Sequence, residues 1–116
     1  MTYEQWLGQE EALRYPIYGT LLQKRKSFFG FFGLTEEELL IALLQDNQRE
    51  IQWTSRIPLD LKNVVIKKSM IPLQYVIYLE FNEGAPCKIR VSKKVYGIPG
   101  QEENVTAFMA ELAERV

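Results

Sequence analysis

Most of the chain alternates apolar and polar positions with a period of two. Ile17, Gly19 and Leu21 interleave with Tyr18, Thr20 and Leu22, which predicts a first strand. Gln23–Ser27 is polar and reads as a hairpin loop, Phe28–Leu34 as a second strand, Thr35-Glu36-Glu37 as a turn and Glu38–Gln45 as a third strand. Asp46-Asn47-Gln48 supplies another turn, after which Ile51, Trp53 and Ile57 alternate with Gln52, Thr54 and Arg56 in a fourth. Pro58 predicts a bend before a fifth strand at Val64–Lys68. Leu73–Phe81 is the cleanest alternation in the chain, and Asn82-Glu83-Gly84 has the composition of a hairpin turn. Cys87, Ile89 and Val91 then face one way while Lys88 and Arg90 face the other.

The two ends follow the helical period instead. Thr2 and Gln5 have capping-box spacing, and Tyr3, Trp6, Leu7 and Leu13 form a loose stripe to about Arg14. Tyr15-Pro16 ends it, because a residue before proline is pushed out of the helical region. After Gly97-Ile98-Pro99-Gly100, Val105, Phe108, Met109, Leu112 and Val116 mark one face of a C-terminal helix with Glu102 and Glu103 in its first turn. The expected organisation is a helical extension over 1–14 and one domain over 15–116. That domain is mainly β, a partly open barrel of about seven antiparallel strands whose mouth the last helix closes.

This pattern resembles the pleckstrin-homology (PH) superfold, in particular small bacterial PH-like domains. The resemblance rests on "GLTEEELLIALL" (33–44), "IPLDLKNVVIKK" (57–68) and "FMAEL" (108–112), and spans residues 15 to 116. It implies a binding role, and such bacterial domains often self-associate. PH domains that bind phosphoinositides hold phosphate with basic residues of the first hairpin loop, here Lys24, Arg25 and Lys26. The family pattern continues with basic residues along the second strand; here that strand is phenylalanine and glycine, so the likeness stops after Lys26.

The second strand poses its own problem. In "SFFGFFGL" Phe28 and Phe32 share one face and Phe29 and Phe31 the other. The third strand repeats this, with Leu39, Ile41 and Leu43 on one side and Leu40 and Leu44 on the other. A strand that is apolar on both faces has both faces covered. The N-terminal helix can cover part through Trp6, and another copy of the protein the rest. Trp6, Phe29, Phe31, Leu40 and Leu44 are therefore the expected protein-interface residues, with the choice of outward face left open by the register.

Composition narrows the function further. The 116 residues are 47% apolar and 25% charged with one cysteine and no histidine, so one globular domain is expected, with no intrachain disulfide and without the usual general base or metal ligand. Glu36-Glu37-Glu38 reads as a solvated turn, Cys87 as a small buried hydrophobe, and Ser27, Ser55, Ser69 and Ser92 sit in no nucleophile elbow. No enzymatic activity, cofactor or metal is expected. No apolar run reaches the ~18 residues that cross a bilayer, and the N-terminus lacks a signal-peptide layout, which fits the cytoplasm.

The net charge of −1 hides an asymmetry: the ends are acidic, while residues 15–100 carry twelve basic against eight acidic side chains. That excess is too small for a nucleic-acid partner. The first expectation is thus a noncatalytic module that binds itself or another protein. The alternative is peripheral binding of anionic lipid through Lys24, Arg25 and Lys26, with Lys67, Lys68, Lys88, Arg90, Lys93 and Lys94 as further basic surface.

Overall fold

The computed structural model describes residues 1–45 and 50–116. The turn expected at Asp46-Asn47-Gln48 lies outside the described residues. In chain order the elements are α1 (Tyr3–Gln9), β1 (Arg14–Leu22), β2 (Ser27–Leu34), β3 (Glu38–Leu44), β4 (Ile51–Pro58), β5 (Leu61–Lys68), β6 (Gln74–Phe81), β7 (Cys87–Ser92) and α2 (Gln101–Glu114). The strands form one antiparallel sheet in the order β4-β3-β2-β1-β7-β6-β5, so β4 and β5 are its edges and it does not close. α2 packs on β1.

Period-two patterning places side chains on an inner and an outer face. The inner core gathers Ile17, Phe32, Leu34, Leu39, Ile41, Ile77, Leu79, Ile89 and Val91 from the sheet with Val105, Phe108 and Leu112 from α2. Cys87 belongs to this core, where burial pushes its thiol up to about 11. Gly19 and Gly30 face each other across β1 and β2. A Cβ on Gly30 would stand 2.5 Å from the Ala42 carbonyl oxygen, so the close approach of β2 to β3 here requires glycine.

A second core lies on the outer face. Phe31, Leu40, Ala42, Leu44 and Ile51 are buried under Trp6, with Tyr3, Leu7 and Leu13 packed around them. Tyr3 stacks on Phe31 at 4.0 Å between ring centroids. The capping box of Thr2 and Gln5 forms as expected, but α1 ends at Gln9, five residues short of the expected Arg14. The chain turns at Glu10–Leu13, and Leu13 reaches the second core from that turn over Gly33, which leaves it room. Arg14 already belongs to β1, and Tyr15 (φ 57°) sits at a register shift that carries Pro16 without breaking the strand.

A shift between Leu43 and Leu44 separates two residues expected on one face of β4. Ile51 joins the outer core opposite Leu44, while Trp53 lies opposite Leu43 on the inner side. β5 begins three residues earlier than the expected Val64, because Leu61 pairs with Phe81 and buries in the inner core.

α2 is seated by side chains. Buried Gln101 accepts from Tyr18 N–H (3.0 Å) and donates through Nε2 to the carbonyls of Tyr18 and Ser92 (2.9 Å each). At the far end Arg115 donates to the carbonyls of Thr35 and Glu36, and Glu111 pairs with both Arg14 and Arg115. Among the described residues no helix is long and apolar enough to cross a membrane.

Candidate functional site

The five residues expected at a protein interface do share the outer side. Four of them, Trp6, Phe31, Leu40 and Leu44, are buried in the second core by α1 of the same chain. An interface role for those four requires α1 to move. Phe29 alone remains open, 41% exposed and stacked against Tyr18 at 6.2 Å.

The basic residues divide differently. Antiparallel pairing sets Lys67, Val76, Arg90, Thr20 and Phe29 in one row across five strands of the outer face. Val65, Tyr78 and Lys88 form the neighbouring row. Together these rows floor a cleft of about 670 Å³ with Val76 and Tyr78 at its base and Lys67, Lys68, Lys88 and Arg90 around it. Among the described residues no acid lines this cleft; on the same face of β6, Glu80 lies two residues beyond Tyr78.

Ion pairing sharpens the contrast. Arg14, Arg56 and Arg115 are each matched to glutamates, Arg56 to both Glu10 and Glu38. Among the described residues Lys67, Lys68, Lys88 and Arg90 form no ion pair. Lys24, Arg25, Lys26, Lys62, Lys93 and Lys94 form no ion pair among the described residues either, so what sets β5–β7 apart is that its cations border one cleft. Like charges gathered on an apolar floor repel unless an anion neutralises them.

Of the first-hairpin residues, Lys24 lines a smaller cleft of about 530 Å³ that shares Leu22, Tyr78 and Lys88 with the main one. Lys26 turns away, its Nζ 5.2 Å above the Phe28 ring. Arg25 lines neither cleft. Lys93 and Lys94 line a separate depression beside Glu102 and Glu103.

The cleft runs toward the β5–β6 connection, Ser69–Leu73. The Ser69 hydroxyl donates to Gln74 Oε1 (3.0 Å) and accepts from Ile71 N–H (3.2 Å), while Lys93 N–H donates to the Leu73 carbonyl (2.8 Å). Leu73 has φ 63°, a left-handed conformation these bonds hold. The result presents Met70 at 101% and Ile71 at 59% exposure, beside Lys67 and Lys68. Single-strand periodicity hides this feature, since a loop residue has no face; its signal in the sequence is four consecutive apolar residues, Met70-Ile71-Pro72-Leu73, between polar neighbours.

Among the described residues no group of three or more carboxylate or cysteine side chains is placed to hold a metal. Glu36, Glu37 and Glu38 line one depression with Thr35 and Arg14, at the turn that Thr35 closes by accepting from the N–H groups of Glu37 and Glu38.

No family model matches the chain. No curated protein matches it either. Among solved structures it is similar to the C-terminal domain of an unknown protein from Leishmania infantum, with a TM-score of 0.61 at 9% identity over 96% of this chain and 94% of that one. At that identity the likeness establishes a shared fold.

Proposed function

We propose that this chain is a noncatalytic PH-like domain that docks peripherally on anionic membrane surfaces through the outer face of β5–β7. The sheet order and the helix that follows the last strand support the PH-like reading. The observation that carries the membrane reading is the convergence of Lys67, Lys88 and Arg90 on the outer-face rows of one cleft, with Lys68 at its end, and no acid among the described residues lining it. Each cation brought to an anionic bilayer contributes about 1 kcal/mol, so the three on the outer face raise membrane partition by about two decades. The site differs from the first-hairpin loop: Lys24 borders it, and Arg25 and Lys26 stand outside.

Co-sedimentation with vesicles containing about a third phosphatidylserine tests the reading. Binding should weaken steeply as salt rises, because the Debye length contracts from about 10 Å to about 3 Å between 0.1 and 1 M. Combined Lys67→Glu and Arg90→Glu should abolish it. Binding that persists in this double variant would overturn the assignment of the site.

Self-association is the second reading, and exposed Phe29 next to Tyr18 is its foothold. Light scattering after size exclusion at high salt decides it: a salt-resistant dimer lost on Phe29→Asp would support it, and a monomer would remove it.

A further inference from the structure

We infer that the β5–β6 tip is a membrane-inserting wedge: Met70 and Ile71 enter the boundary between headgroups and acyl chains while the neighbouring lysines stay among the headgroups. The inference rests on the membrane reading above and adds a second, apolar mode of attachment to it. Single exposed hydrophobic residues are common and carry no message, but here four apolar residues follow one another at a loop apex. Met70 makes no use of the fold at all, being 101% exposed, and Ile71 is 59% exposed.

The geometry suits a soft partner. The two side chains form a protrusion, which a fluid bilayer accepts at the 5–10 Å depth of interfacial insertion. The tip is also braced by the Ser69–Gln74 and Lys93–Leu73 hydrogen bonds, so insertion orders less additional chain than an unbonded loop would need.

Distance along the strands links wedge and cleft. At about 3.3 Å per residue, Lys67 and Lys68 stand roughly one Debye length or less from a surface that touches Met70, and Lys88 about two residue steps beyond the Arg90 row. Lys67, Lys68 and Arg90 therefore feel the bilayer charge as soon as the tip makes contact. Lysine stems can lie along the apolar boundary with their ammonium groups at the phosphates.

A wedge distinguishes bilayers by packing as well as charge. Vesicles with unsaturated chains, which leave gaps between headgroups, should bind the protein more tightly than saturated ones of equal charge. The test uses the full chain, with Met70→Asp/Ile71→Asp to blunt the wedge and Ile71→Trp to report its depth through quenching by lipids brominated along the acyl chain. Both sites are exposed, so the variants should keep the wild-type circular dichroism. The expected results are a roughly 10- to 100-fold weaker partition for the Asp double variant and quenching of the new tryptophan above the parent signal. If wild type binds anionic vesicles but the Asp variant binds equally and no added quenching occurs, the wedge is overturned and cationic docking stands. If wild type binds no anionic vesicle, both fail. Loss of binding to an acidic protein, with none to vesicles, would assign the tip to a protein pocket and likewise overturn the wedge.

Discussion

Replacing Trp6 by alanine should separate the two cores. Trp6 is 2% exposed and closes the outer core over Phe31, Leu40, Ala42, Leu44 and Ile51. Its removal eliminates the largest side chain in that layer, and truncations of buried aromatics of this size cost about 3–5 kcal/mol. A domain of this length has a total stability of roughly 6–17 kcal/mol, so the variant should still fold. At about 4 °C per kcal/mol, global coupling would lower the melting temperature by roughly 12–20 °C.

α1 has only seven residues, however, and is otherwise tied down by Tyr3 on Phe31, by Met1 at Ile51 and by the Glu10–Arg56 ion pair. If the lost packing exceeds the docking free energy of α1, the helix detaches and the destabilisation saturates below that range. The bared strands should then bind a hydrophobic dye and drive association. Thermal denaturation, dye fluorescence and light scattering distinguish these outcomes. A melting temperature within about 3 °C of wild type, with no dye binding and no association, would refute the claim that α1 supplies the cover of the outer sheet face.

Three further outcomes follow from other parts of the fold. Gly30→Ala puts a Cβ 2.5 Å from the Ala42 carbonyl, which is backbone and yields little, so it should destabilise by about 1–3 kcal/mol in a denaturant titration; a neutral result would contradict the close β2–β3 approach. Gln101→Leu leaves the Tyr18 N–H and the Tyr18 and Ser92 carbonyls without their partner, and calorimetry should show a loss of about 2–4 kcal/mol, much more than Glu102→Leu one residue on. The Cys87 thiol, shifted by burial from 9.0 to about 11, favours the folded protein fully below about pH 9. Above about pH 9 the unfolded thiol ionises while the buried one resists, so wild type should lose stability relative to Cys87→Ala as pH rises to about 11; parallel pH profiles would contradict it.

Strand identity was readable because alternation survives even where both faces are apolar. Leu39, Ile41 and Leu43 did separate from Leu40 and Leu44, and Phe32 from Phe31, as the pleat requires. Where the covering came from was not readable, since α1 and a second copy satisfy the same pattern; Trp6 fills the place in cis. Boundaries failed where local geometry overrode periodicity. Tyr15 takes a left-handed φ that lets β1 begin before Pro16, and the shift at Leu43–Leu44 sends Ile51 and Trp53 to opposite sides.

The candidate site was partly legible. Lys67, Lys88 and Arg90 stood out as basic strand positions, but their convergence depends on β7 pairing with both β6 and β1, a long-range register that no local spacing encodes. Lys24, Arg25 and Lys26 looked like one cluster because they are adjacent in sequence, and a hairpin loop splays neighbours apart. Gln101 gave no sign of its role: a glutamine at a helix start looks solvated until both strands it bridges are in place.

The most direct test is amide chemical-shift mapping of the isotopically labelled protein titrated with nanodiscs containing about a third phosphatidylserine. The account predicts that perturbations and line broadening concentrate at Lys67, Lys68, Met70, Ile71, Lys88 and Arg90 and vanish with uncharged discs. Perturbations centred on Lys24–Lys26 or on Phe29, with the β5–β7 face silent, would contradict it.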